Sequence, residues 1–153
     1  MTHGGTNAAD DPQWDQYGGT VLELLGDRSL RIDLTKAVPA QAMAVLMTHG
    51  VGPTFAVVAA TNPHGQRVDD DENQRATQAL LAEVRARGWA WVPADGVSLD
   101  GSHREPGFAI ATTRPNALAL ARRFEQSAIF WFDGVTMWIV GAAVSAPDRK
   151  LPE

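Results

Sequence analysis

Asp133-Gly134 stands between two apolar runs, Ser127–Phe132 and Thr136–Val140. An Asp-Gly pair adopts the positive backbone angles of a tight two-residue turn, so this spacing is the strongest short-range signal of a β-hairpin. The chain is thereby committed to antiparallel pairing at one end. The other end repeats the theme. Leu30, Ile32 and Leu34 alternate with Arg31 and Asp33, the period of a half-buried strand. Gly26-Asp27-Arg28-Ser29 separates that strand from Thr20–Leu25.

The segments between read as alternating helices and strands. Ala40–His49 is helical, with Pro39 before it and Gly50 as its stop. Phe55–Ala60 is an unbroken apolar run, as expected of a strand buried on both faces. Asp69 opens the next helix. With Glu72 it forms a variant capping box, and Ala76, Leu80 and Val84 make its stripe. Trp89–Val92 and Phe108–Thr112 are strands, with a loop from Pro93 to His103 between them. Pro115 opens a last helix with Ala117, Leu120, Ala121 and Phe124 on its apolar face. The element order is ββαβαββαββ. Only one stretch has the strand–helix–strand form of a parallel crossover, which disfavours a doubly wound nucleotide fold. The expected fold is α+β, a single domain with a mixed or mainly antiparallel sheet and about three helices. Residues 1–12 are expected to be a disordered tail, 17–145 one globular domain, and 146–153 a frayed tail.

The chain has 153 residues and no cysteine. That length supports one domain with its own core. Lack of cysteine excludes disulfides and thiol catalysis and fits a reducing cytoplasm. A net charge of -5 without a basic stripe argues against nucleic acid or an anionic membrane as partner. No apolar run is long enough to span a bilayer, and the N-terminus lacks the charged and apolar regions of a signal peptide.

The polar residues cluster where strands meet loops or helices begin. Thr61-Asn62-Pro63-His64-Gly65 ends a strand, and Glu72-Asn73-Gln74-Arg75 begins a helix. A strand, a turn and a helix start together form a common small-molecule crevice. The acidic helix start suits a neutral or cationic ligand, or a hard metal ion, better than phosphate. Against this, Asn73 could simply tie down the Asn62-Pro63 turn while Glu72 caps the helix. His103 and Glu105 sit two apart, on one face of an extended chain, and can share a proton or a metal. His64 would be a third partner where the two loops meet. The plainer alternative is a solvated histidine and a carboxylate paired with arginine. Gln126 could reach a ligand or cap the carbonyls of the preceding helix, and the second role is the commoner. Trp131 with Trp138 reads as a cross-strand pair, and Trp89 with Trp91 as core. There is no Walker loop, Rossmann glycine set, Gly-x-Ser-x-Gly or His-Glu-x-x-His, so no motif names a cofactor.

Four of these pieces, in order and spacing, resemble a bacterial family known only as domain of unknown function 3293. They are Asn62-Pro63 after an apolar strand, Glu72-Asn73-x-Arg75, the loop leading to His103-x-Glu105-Pro106, and Phe124-x-Gln126-x-Ala128-Ile129. The resemblance runs from about Thr20 to Gly141. The family carries an aromatic residue before Asn-Pro and a serine after Glu-Pro, where this chain has Thr61 and Gly107. The resemblance implies a bacterial or phage protein and no established activity.

The reading from sequence is a small-molecule-binding protein, or an enzyme, whose site lies at residues 61–75, 100–105 and 126. Glu105 is the candidate acid or base with His103 assisting. Asn62, His64, Glu72, Asn73, Arg75 and Gln126 are the candidate ligand-binding residues. The rival is a non-catalytic interaction module acting through a protein surface. Convergence of the polar residues in one cleft favours the first, and scatter beside a flat apolar patch the second.

Overall fold

A computed structural model describes residues 6–153. In chain order the strands and helices are β1 (Thr6–Asn7), β2 (Thr20–Leu24), β3 (Arg31–Asp33), α1 (Ala40–Thr48), β4 (Phe55–Ala59) and α2 (Asp70–Ala86). There follow β5 (Trp91–Ser98), β6 (Arg104–Glu105), β7 (Gly107–Ile110), α3 (Arg114–Arg123), β8 (Ala128–Phe132), β9 (Met137–Gly141), β10 (Val144–Ser145) and β11 (Arg149–Leu151). From β2 to β9 the order is the expected ββαβαββαββ, with the short β6 added before β7. Every pairing in the nine-stranded sheet is antiparallel, in the order β11-β9-β8-β4-β7-β5-β2-β3, with β6 on β5.

The apolar run of β4 is explained by its place at the sheet centre, between β7 and β8. Its side chains alternate between two cores. Phe55 and Val57 join Leu22, Leu24, Ile32 and α1's Leu46 on one face. Ala56 and Val58 join Leu80 and Val84 of α2 and Leu120 of α3 on the other. Burying a side chain such as Leu80 contributes about 2 kcal/mol over leaving it exposed. Asp69 caps α2 by accepting from the Glu72 N–H at 2.7 Å, as its spacing to Glu72 implies. Trp131 and Trp138 are directly opposed across the β8–β9 hairpin. Among the described residues no helix is long and apolar enough to cross a membrane.

Three expectations change. The stretch from Pro93 is strand and not loop, because β5 continues to Ser98. Pro93 and Gly96 look like breakers, but Pro93 keeps its carbonyl in use, accepting from the Leu25 N–H at 2.9 Å. The expected tail at 146–153 contains β11, which extends the sheet beyond β9. Residues 1–5 of the expected N-terminal tail lie outside the described residues. The rest of it is tied down: β1 pairs with β10 in parallel, and Asp11 is buried.

β5 shapes the sheet end that matters for function. Its first residues pair with β7, with Pro93 opposite Phe108, and its later ones with β6, with Gly96 opposite Glu105. The register is continuous, but Pro106 interrupts the ladder because proline has no N–H to give. Glu105 is therefore the last residue before a break, at the edge where the sheet opens.

Candidate functional site

The turn after β4 is built on Asn62, whose backbone is left-handed (φ 48°, ψ 68°). Asparagine tolerates this conformation better than most residues. Asn73, in the first turns of α2, fixes it twice. Its Oδ1 accepts from the Asn62 N–H at 2.8 Å, and its Nδ2 donates to Asn62 Oδ1 at 2.9 Å. Asn62 Oδ1 also accepts from the Val68 N–H at 3.3 Å. With its oxygen so engaged, Asn62 turns Nδ2 outward and donates to Glu105 Oε1 at 3.1 Å. Tying the turn and reaching the site are thus one arrangement, not alternatives.

His103 Nε2 lies 3.3 Å from the same Glu105 oxygen, as the two-residue spacing implies. The pleat sends Arg104 the other way. Its guanidinium donates to Glu23 Oε1 at 2.7 Å and Asp95 Oδ2 at 3.2 Å. Glu23 and Asp95 face one another across β2 and β5, an unfavourable pairing of like charges that Arg104 relieves. Arginine is therefore not the partner of Glu105. No hydrogen bond from a described residue reaches Glu105 Oε2.

Glu105 and Asn62 stand between two clefts. One, of about 540 Å³, has a floor that includes Leu22, Val57, Ala94, Ala128 and Phe130. The other, of about 740 Å³, is lined by Arg67, Asp70, Asn73, Gln74 and Arg104 among others. Gln13, Thr61, Asn62, Ser102, His103 and Glu105 belong to both, so they form the shared wall.

Gln126 closes the back of the first cleft and is 8% exposed. Its Nε2 donates to Thr61 O at 3.0 Å and to Phe124 O at 3.1 Å. Two carbonyl acceptors fix the amide's orientation, since only the nitrogen can serve both. It satisfies the helix end, and Oε1 is left without a partner. Thr61 Oγ1 in the same wall is buried and unpartnered.

The N-terminal segment supplies the facing wall. Tyr17 donates its hydroxyl to Asp11 Oδ2 at 2.8 Å, and the Gln13 N–H donates to Asp11 Oδ1. Burial, reinforced by the Asp11 charge and hydrogen bond, pushes the Tyr17 hydroxyl far above its ordinary pKa, and Glu105 adds to the effect. Asp11 packs so closely on the 61–65 turn that a Cβ at Gly65 would strike its carboxylate.

The structure brings together Asn62, Asn73, His103, Glu105 and Gln126. It does not bring in the other three. Glu72 and Arg75 are exposed on α2 and line neither cleft. His64 also lines neither. It lies against Glu125, Nε2 to Oε1 at 3.8 Å, because the turn directs it away from the cleft. Among the described residues no three His, Asp or Glu side chains gather as a metal site. Asp11, Gln13 and Tyr17 were not legible: Asp11 lies in the stretch read as a tail, and Gln13 and Tyr17 carry no motif. The available signal was Trp14 and Tyr17, aromatics three residues apart, with Tyr17 the only tyrosine of the chain.

Gly107 directly follows Glu105-Pro106. A Cβ there would lie 2.9 Å from Ala94 O and 3.2 Å from Val58 O. β4, β5 and β7 meet too closely at that point for a side chain.

Residues 58–129 match the family described as Protein of unknown function (DUF3293), the family that the sequence resembles. The match covers the turn, the α2 start, Glu105 and Gln126. No curated protein and no solved structure matches the chain.

Proposed function

We propose that the first cleft binds a small organic molecule and that Glu105 is its central group, acting as acid or base where the bound molecule reacts. The observation that carries this is the state of Glu105. One carboxylate oxygen is held by Asn62 and faced by His103, and the other is left free above an apolar floor. A positioned carboxylate with one free oxygen can take or give a proton, and His103 is close enough to pass one on. The cleft's volume lies within the range of about 300–1,000 Å³ common for ligand pockets. Asn62 and Asn73 position Glu105, while Gln126 faces the ligand from the back. The absence of cysteine fits action in the cytoplasm.

An interaction module would need a contiguous apolar surface. The large exposed hydrophobics among the described residues are Met47, Leu99 and Val135. They lie on α1, after β5 and at the β8–β9 turn, three separate elements, which favours the cleft.

The test is a thermal-shift screen of the protein against nucleotides, sugars, amino acids and amines. A ligand of the folded state raises the melting temperature by mass action. A shift that disappears in Glu105→Gln, while that variant's own melting temperature is kept, supports the proposal. Equal loss of stability in Glu105→Gln without any ligand effect would make Glu105 a structural residue and sink it.

A further inference from the structure

We infer that the ligand of the first cleft is an organic cation, a primary ammonium or guanidinium on a short apolar body. The inference rests on the cleft being a small-molecule site.

The cleft offers carboxylate acceptors and, His103 apart, no cationic donor. No Lys or Arg lines it, and its charged residues are Asp100, His103 and Glu105. Asp100 Oδ1 is committed to its own turn, accepting from Ser98 Oγ, the Ser102 N–H and Ser102 Oγ. Glu105 keeps one oxygen free. Three of its side-chain donors are already used, while Gln13, Gln16 and Thr20 keep neutral ones. Asn62 Nδ2 gives to Glu105, Gln126 Nε2 to two carbonyls, and the Tyr17 hydroxyl to Asp11.

Gln126 makes the argument independent of charge. Its side chain is more than nine-tenths buried, and its amide can present only Oε1 to the cleft. Oε1 accepts no hydrogen bond from the described residues, so it is open to a ligand N–H. Thr61 Oγ1, equally buried, is a second unpartnered oxygen in the same wall. An anionic ligand would meet the Glu105 charge and find no cation other than His103, which already faces Glu105. An ammonium or guanidinium would give one N–H to Glu105 Oε2 in a charge-assisted bond and another to Gln126 Oε1. Its apolar part would rest on Val57, Ala94 and Phe130, whose ring face also favours a cation.

Three probes of one carbon skeleton separate the possibilities: butylammonium, butanol and butyrate, each titrated into isotope-labelled protein and followed by amide NMR shifts. We expect butylammonium to move the signals of Gly96, Ser98 and the Gln126 side-chain amide, butanol to move them only at higher concentration, and butyrate to leave them. Glu105→Gln should weaken butylammonium by about tenfold or more, as loss of a charge-assisted bond does. Glu105→Asp, which keeps the charge, should retain the preference for the cation. The spectra themselves report whether each variant is folded. Butyrate or butanol binding in the cleft as tightly as butylammonium would overturn the cation assignment and leave the cleft a small-molecule site. Butylammonium binding that Glu105→Gln does not weaken would overturn it equally. A cleft indifferent to all three probes would overturn both readings.

Discussion

Asn73 reaches Asn62 twice, from Nδ2 to Oδ1 at 2.9 Å and from Oδ1 to the backbone N–H at 2.8 Å. These two bonds leave Asn62 Nδ2 as the group that holds Glu105. The helix start therefore sets the position of a carboxylate it does not touch. Asn73→Ala should cost about 1–3 kcal/mol, because it strands a backbone donor and loosens a left-handed turn. Urea unfolding measures that cost. The same variant should weaken any ligand that Glu105 binds, since Asn62 loses its orientation. A variant that unfolds at the wild-type midpoint would show that the turn holds without Asn73.

Tyr17 should remain protonated for as long as the protein is folded. Its folded-state pKa is raised far above the unfolded value of about 10. Above that pH the unfolded chain gives up the proton while the folded protein keeps it. The stabilisation is thus complete below about pH 10 and is lost as the pH rises further. Tyr17 is the only tyrosine, so tyrosinate absorbance reports it alone. Absorbance and unfolding, followed by circular dichroism, should rise together at alkaline pH. Tyrosinate appearing well before unfolding would show that the hydroxyl is not held against Asp11.

Gly107→Ser should destabilise the fold by about 1–3 kcal/mol, the usual cost of forcing atoms into a filled core. The new Cβ would press on the carbonyls of Ala94 and Val58. Calorimetric melting checks this. An unchanged melting temperature would mean that β5 and β7 separate readily at this point.

Arg149→Ala should loosen the wall formed by residues 13–17. Arg149 Nη1 donates to Trp14 O at 2.6 Å, and its guanidinium lies over the Trp14 ring. It also forms a fork with the Glu153 carboxylate, which holds that carboxyl below its usual range. Hydrogen exchange of the Trp14–Tyr17 amides should quicken by about tenfold, matching the loss of one to two kcal/mol of local protection. Exchange confined to the C-terminal strand would show that the wall stands without it.

What the sequence made legible follows from how local each cause is. The Leu30-Ile32-Leu34 alternation, the Asp69–Glu72 cap and the Asp133-Gly134 hairpin act within a few residues, and each formed, though the hairpin's tip is Gly134-Val135 and only Gly134 has a positive φ. β11 did not announce itself, because Arg149-Lys150-Leu151 has one apolar residue, and its order comes from the free edge of β9. The site divides the same way. His103 and Glu105 face each other because the pleat has a period of two. Asn62, Asn73 and Gln126 were visible as polar residues at element ends. Their bonds cross from one segment to another, so their partners were not. His64, Glu72 and Arg75 had the right chemistry in the right neighbourhood but point elsewhere, and a single turn's geometry decides that.

Trp14 depends on a residue 135 positions further along the chain. A ribosome making this protein produces Gln13, Trp14 and Tyr17 early and Arg149 late. The apolar floor of the cleft, built from β2, β4, β5 and β8, can assemble in the meantime. Until Arg149 follows, the trough lacks the bond that holds Trp14. The cleft is completed only once β11 has been made, docks beside β9 and brings Arg149 to Trp14.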